Sequence, residues 1–442
     1  DYIMKLAKFR FGGVHPHDSK NTANIVSSNM ENPPKSVLIS MAQHIGAPAK
    51  LLKNKGDKVE RGELIGEANG YVSGNVSSSV SGSVASVEIA PQPLGRGANA
   101  LLINVEPNSY NLPYDEKSNF MSLSAEEMSD KIKKAGIVGM GGATFPANVK
   151  VDGASKGICD TLIINGVECE PYITSDYRLM LENTEDLFKG IEILRKIIPS
   201  VKRTVIGIEA NKPIAIEEMS KTAKNYNVEV MALRLRYPQG AEKMLIDAAT
   251  GRVVPVGKLP MDVNVLVVNV ATLYAIYEAV AKDKPLIERM VTISGDAIKE
   301  HKNLWIPLGT PISTIVDNCG GLIAENILIL AGGPMMGASV PSLEQCVNKG
   351  TNSLLFFNKD KMPKEIEYPC IKCGRCSDVC PLKLSPTEIA HTAKSKISER
   401  LNDLDIATCF ECGCCSYICP SKISLVQWIR YGKDLLLSLI HI

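Results

Sequence analysis

Aromatic side chains make up only 5% of this 442-residue chain, and neither charge sign dominates: 49 Lys and Arg face 48 Asp and Glu, a formal charge of +1. Without a basic block to neutralise phosphates or many rings to stack on bases, the composition excludes nucleic acid as a partner. Long apolar runs are missing too. None reaches the ~18–20 residues that a membrane-spanning helix needs, and the stretch Asp1 to Arg10 has neither the apolar core nor the cleavage site of a secretory signal. The chain is therefore expected in the cytosol, reaching any membrane through partners. Histidine is scarce, at six residues. His15 and His17 stand close together, but no other histidine follows before His44, so His15-Pro-His-Asp18 reads as a surface turn rather than half of a metal site.

Cysteine is not scarce: there are thirteen, and eight repeat one spacing. Cys370-x2-Cys373-x2-Cys376-x3-Cys380-Pro381 is followed by Cys409-x2-Cys412-x2-Cys415-x3-Cys419-Pro420. In such a run three thiolates hold one 4Fe–4S cluster while the fourth, before Pro, crosses to the other. The expected ligand sets are Cys370, Cys373, Cys376 and Cys419 for cluster 1, and Cys409, Cys412, Cys415 and Cys380 for cluster 2. Structural zinc would use Cys-x2-Cys pairs and has no need of the further cysteines or the Pro. Disulfides suit short secreted chains. Cys414 lies outside the spacing and reads as a packed thiol.

A chain of this length exceeds one hydrophobic core, so three or more domains are expected. Residues 1–35 form an N-terminal segment. From 36 to 110 the sequence is β-prone and rich in turns, and Gly56-Asp-x-Val-x-x-Gly-x-Leu-Ile-Gly66 resembles the biotinyl/lipoyl β hammerhead. With no lysine between Lys58 and Lys117, nothing there can carry biotin or lipoate, which leaves a structural or docking role. Residues 111–288 alternate helical and strand patterns. Thr161-Leu-Ile-Ile-Asn165 and Val263 to Asn269 are apolar runs of the kind buried in a parallel sheet, and Ser124 caps a helix with an acidic first turn. Residues 289–345 resemble a β-grasp module of the SLBB type, expected to pack rather than bind ligand. Residues 346–442 hold both cysteine motifs and are expected to form the two-cluster domain. Between the two motifs, Ser385-Pro-Thr-Glu388 reads as a capping box opening a helix, so an α-helical ferredoxin-type domain is expected, closed by a helix from about Leu425 to Leu439 with a core or docking face.

A second constellation runs Gly136-Ile-Val-Gly-Met-Gly-Gly-Ala-Thr-Phe-Pro-Ala-Asn-Val-Lys150, followed by Asn165-Gly-Val-Glu-Cys-Glu-Pro171. Gly139, Gly141 and Gly142 would let backbone N–H groups approach a phosphate, and Lys150 would add charge. Alone, this is no dinucleotide fingerprint, and such a loop is often a tight connection. Asn165 to Glu170 sits where a buried strand ends, the usual ligand position in open α/β sheets.

These segments, with Tyr237-x-x-Gly-Ala-Glu242 and Val268-Asn-Val-Ala-Thr-Leu273, resemble the FMN- and NADH-binding subunit of respiratory complex I over about 120–345. With the hammerhead, the doubled cysteine motif and Gly12-Gly-Val-His-Pro16, the whole chain is similar to the RnfC/RsxC family of Rnf ferredoxin:NAD+ oxidoreductases. That resemblance implies a peripheral, cytoplasmic-side subunit of a membrane complex that translocates sodium ions or protons, partnered by integral membrane and iron–sulfur subunits and, through them, ferredoxin. It implies non-covalent FMN at Gly139, Gly141, Gly142, Lys150 and Asn165, NAD(H) as substrate near Glu168, Glu170 and Glu242, and two 4Fe–4S clusters. Departures stand out: Met140 replaces an Arg of complex I, Ala241-Glu242 replaces a pair of Glu, and the single-cluster motif is absent. Hydride carries two electrons and each cluster accepts one, so a flavin between them is required. Alternatives are a soluble flavin and iron–sulfur subunit of a hydrogenase or bifurcating dehydrogenase, or a flavin-free electron-relay scaffold.

Overall fold

The computed structural model describes residues 6–90, 97–107, 109–110, 113–364 and 366–440. Near the N-terminus, alternation such as that of Ser36–Ser40, whose Val37 and Ile39 point inward, builds two facing antiparallel sheets. One takes the order Ser36–Ser40, Ala98–Val105, Gly82–Ala90, Lys58–Val59, and the other Lys50–Leu51, Leu64–Glu67, Val76–Ser77. Val37, Ile39, Ile65, Val76, Val84, Leu101 and Ile103 fill the space between them. This is the sandwich expected from the hammerhead pattern.

The middle of the chain forms a four-stranded parallel sheet in the order Glu229–Leu233, Arg203–Glu209, Thr161–Gly166, Val265–Asn269. Its strands are apolar on both faces because both are covered. Leu162, Ile164, Leu266 and Val268 pack under the helices Thr184–Ile197 and Val270–Lys282, while Ile163, Val265 and Val267 pack against Glu242–Thr250. Ser124 does cap Ala125–Lys134, with Glu127 returning the bond to its backbone. Thr161–Gly166 comes first in the chain and lies between the second and the fourth strand. The order therefore reverses between it and Val265–Asn269, which makes their carboxyl ends a topological switch point.

The next sheet has six strands, ordered Ser28–Asn29, Lys302–Pro307, Glu288–Ser294, Ser353–Asn358, Ile327–Ala331, Ala338–Val340, beside the helix Ile312–Asn318. Two of its strands lie outside 289–345. Ser353–Asn358 fills the gap between Glu288–Ser294 and Ile327–Ala331, two edges that would otherwise stay unpaired.

The last part is helical, with Pro386–Lys394 packed on Leu425–Ile440 around Ile389, Ala393, Leu401, Ile406, Leu425 and Ile429. Pro386 occupies the first turn as expected, but Ser385 makes no side-chain cap bond. Glu388, the other half of the expected box, pairs with Arg400 instead. Among the described residues no helix is long and apolar enough to cross a membrane.

Candidate flavin and iron–sulfur sites

Asn165 and Asn269 are register partners at the switch point. Asn269 caps the following helix by accepting from the N–H groups of Ala271 and Thr272. The glycine loop lies above this pair. Gly141 approaches so closely that a Cβ there would stand 3.3 Å from that of Asn269, whereas at Gly142, with φ +140°, a Cβ would enter open space. Gly139 turns inward, donating to Phe145 O and accepting from Thr144 N–H. Met140, which stands where complex I has Arg, is buried in the core and donates its N–H to Thr272 Oγ1. The loop leads into the helix Ala147–Lys156, whose N-cap, Pro146, offers no side chain to its N–H groups. An exposed loop, a helix N-terminus and Lys150 thus converge where a phosphate would sit, which fits the phosphate of a mononucleotide.

Lys150 Nζ bonds Glu242 and, at 3.0 Å, Val267 O. The two side chains are about equally part-exposed, 35% and 36%. Asn165 uses its amide to donate to Gly240 O at 2.8 Å, which ties the end of Thr161–Gly166 to the turn before Glu242. The other two carboxylates are engaged differently. Glu168, at φ +48°, accepts from Asp176 and Tyr177 N–H and so caps the helix Ser175–Glu182. Glu170 accepts from Met335 and Met336 N–H in the loop of the six-stranded sheet. Burial pushes each of them up to about 7.

The strand-end loop rests on cations that the sequence did not point to. Lys20 donates to Glu168 O and Glu170 O, both at 2.8 Å, and burial lowers it to about 8. Lys212 donates to Val167 O at 2.8 Å. Asp176, held by Asn269 at 2.6 Å, completes the buried set with Arg289 nearby. Their distance along the chain hid them: Lys20 lies about 150 residues from its partners, and only the fold brings it there.

The two cysteine runs adopt one backbone shape twice. Lys372 and Glu411 have φ +56° and +61°, Gly374 and Gly413 +77° and +82°, and Lys383 and Lys422 +58° and +54°. At equivalent positions the N–H of Lys372 points at Cys370 Sγ and that of Glu411 at Cys409 Sγ, each at 3.4 Å. Cys380, Cys409, Cys412 and Cys415 line one cavity, which Cys414 also borders, with Leu384, Ile389, Val426 and Ile429. The run before Cys370 is joined to the one after Cys419 through Tyr368 N–H to Ser421 O at 2.9 Å. Burial pushes the thiols of Cys409 and Cys415 up to about 11 and about 12, so cluster insertion must displace their protons. The cavity lined by Cys380, Cys409, Cys412 and Cys415, and the repetition of its backbone shape in the first run, fit 4Fe–4S clusters. Cys414 is buried outside the quartets, its Sγ towards Tyr237 O.

Four family models cover the chain: the RnfC barrel sandwich hybrid domain over 8–108, the Nuo51 FMN-binding domain over 132–278, the SLBB domain over 290–339, and the 4Fe-4S dicluster domain over 364–423. The C component of the proton-translocating ferredoxin:NAD(+) oxidoreductase complex of Clostridium ljungdahlii is 42% identical over 431 residues, 97% of this chain and 94% of that protein. The chain belongs to the RnfC family. Another relative, the C component of the Na(+)-translocating ferredoxin:NAD(+) oxidoreductase complex of Acetobacterium woodii, is 39% identical over 88% of each chain. Among solved structures, an NAD+-reducing nickel–iron hydrogenase is similar over 75% of this chain and 68% of its own, with TM-score 0.47 and 16% identity.

In this RnfC-family chain the expected cofactors, FMN and 4Fe–4S clusters, agree with the matched domains. The structure gathers Gly139, Gly141, Gly142, Lys150, Asn165 and Glu242 about the switch point. It turns the side chains of Glu168 and Glu170 to structural partners. Tyr237, three residues before Gly240, donates its hydroxyl to Cys412 O at 2.7 Å, which joins the second cysteine run to the turn at the switch point. Cys370 and Cys373 are exposed.

Proposed function

We propose that this chain is the NAD(H)-side electron-transfer subunit of an ion-translocating ferredoxin:NAD+ oxidoreductase, peripheral on the cytoplasmic side of the membrane and docked on integral membrane and iron–sulfur subunits. A bound FMN would exchange hydride with NAD(H) and single electrons with clusters. Gly139, Gly141 and Gly142 cradle its phosphate, Lys150 leaves Glu242 to neutralise it, and Asn165 fixes the floor beneath it. Glu242 stands free on the nucleotide side once Lys150 turns to the phosphate. Glu168 and Glu170 act from behind, holding the strand-end loop in shape. Cys380, Cys409, Cys412 and Cys415 hold the flavin-proximal cluster, and Cys370, Cys373, Cys376 and Cys419 the distal one, whose exposed cysteines face the next subunit. Translocation itself belongs to those partners.

The observation that carries this reading is the adjacency of two sites, a mononucleotide cradle at a switch point and a thiol quartet, joined through Tyr237. Anaerobic titration of the purified chain with NADH tests it, following flavin absorbance and the EPR of reduced clusters. Flavin bleaching with the appearance of reduced clusters is expected. Full iron content with no flavin and no NADH oxidation would replace it with an electron-relay scaffold.

A further inference from the structure

The Gly12-Gly13 pair belongs to neither site, yet backbone from two distant parts of the chain closes on it. Gly12 has φ +68°, and a Cβ there would stand 2.6 Å from both the carbonyl carbon of Cys380 and Val379 O. Gly13, at φ +90°, would put one 2.8 Å from Tyr237 O. Only glycine fits either position. Gly13 N–H donates to Val379 O at 2.8 Å, while Val14 and Tyr237 exchange both backbone bonds, at 2.8 and 2.9 Å. On one side Arg10 is anchored to Asp247, on the helix Glu242–Thr250, at 2.9 Å. Phe11 lies under Lys383, whose Nζ is 3.5 Å from the ring centroid. Val14, Tyr237, Cys412 and Cys414 form one small buried cluster bordered by Cys169 and Val379.

Two cysteines of the same cavity are therefore tied to the flavin end by different routes. Cys380 is gripped through Gly12 and Gly13, and Cys412 through the Tyr237 hydroxyl. Both routes meet at Tyr237, whose turn reaches Asn165 through Gly240. We propose that the strap Arg10–Val14 is a positioning element that sets the separation between the flavin site and the cluster held by Cys380, Cys409, Cys412 and Cys415. It rests on the function proposed above. The step it serves is balanced: NADH and two oxidised clusters give NAD+, a proton and two clusters each reduced by one electron, with the flavin ending as it began. Electron transfer slows steeply as donor and acceptor separate, so a shift of this cluster is read directly in the rate of its reduction.

The test uses the full chain with its cofactors, comparing wild type, Gly12→Ala, which pushes Cys380 away, and the milder surface change Phe11→Ala. Rapid mixing with NADH reads flavin bleaching and cluster reduction separately. Dithionite-reduced EPR counts assembled clusters, and hydrogen exchange follows residues 377–383. For Gly12→Ala the expected result is unchanged flavin bleaching, cluster reduction slowed several-fold, and faster exchange at 377–383. Phe11→Ala should slow cluster reduction less, with its full complement of clusters, and it decides the matter should Gly12→Ala fail to assemble them. Cluster reduction at the wild-type rate in a variant with loosened 377–383 would reduce the strap to packing and overturn the proposal. Absence of bleaching in the wild type would instead remove the flavin reading beneath it.

Discussion

Glu170 offers a perturbation whose size follows from its surroundings. Its carboxyl group is part-buried between the strand end and the loop Gly332–Gly337, and it accepts from Met335 and Met336 N–H at 3.1 and 2.9 Å. It lies so near Gly333 that a Cβ there would stand 2.1 Å from Oε2. Burial raises it from 4.5 to about 7 against the pull of those two N–H groups. Each pH unit of that rise is worth about 1.4 kcal/mol, so ionising Glu170 in place costs the closed loop about 3 kcal/mol. Below about pH 4.5 the group is protonated whether the loop is closed or open, and the stabilisation is complete. Between there and about pH 7 the closed loop keeps a proton that the open one releases, so closure weakens as pH rises and then levels off. Hydrogen exchange at residues 330–340, corrected for intrinsic rates, should show protection falling roughly 10²-fold between about pH 5 and about pH 8. Glu170→Gln keeps an acceptor for the N–H groups and should show no such fall. Protection that is flat in the wild type, or rises with pH, would refute the claim that burial outweighs the two hydrogen bonds.

Lys150→Met removes the cation beside the glycine loop. A charged hydrogen bond contributes about 1.5–3 kcal/mol, so FMN affinity, read by fluorescence of released flavin, should fall roughly 10- to 150-fold. Stripping iron with chelator and oxidant should unfold the cysteine-bearing part, whose apolar core is small. Far-UV circular dichroism should lose helix, and limited proteolysis should leave a fragment ending near 364 with its sheets intact.

Much of this was readable in the sequence, and where it was not the reason is distance along the chain. The cysteine runs are local, so their spacing and helical context could be read from the stretch between Cys370 and Cys419 alone. The apolar strands Thr161–Gly166 and Val265–Asn269 were legible because both faces are covered. That Asn165 and Asn269 would pair in register at a reversal of strand order was not, because order is set by tertiary packing. The side chains of Glu168 and Glu170 could be placed at a strand end but not aimed. Their partners Asp176, Met335 and Met336 come from a helix and from a different sheet. Ser385 shows the opposite failure, a local signal overridden when Arg400 drew Glu388 away. Ser353–Asn358 falls within the expected 346–442 stretch, yet it pairs with Glu288–Ser294 and Ile327–Ala331, a long-range partnership that no local signal announces.

In the proposed function electrons flow from the switch point to the quartet of Cys380, Cys409, Cys412 and Cys415 and then outward. Anaerobic EPR of Cys380→Ser and Cys419→Ser after addition of NADH tests it most directly, with dithionite-reduced samples counting the clusters that remain. Cys419→Ser should keep a cluster that NADH reduces through the flavin as fast as in the wild type. Cys380→Ser should keep one that dithionite reduces and NADH reaches only slowly. The reverse pattern, with NADH readily reducing the cluster left in Cys380→Ser and not the one left in Cys419→Ser, would contradict the account.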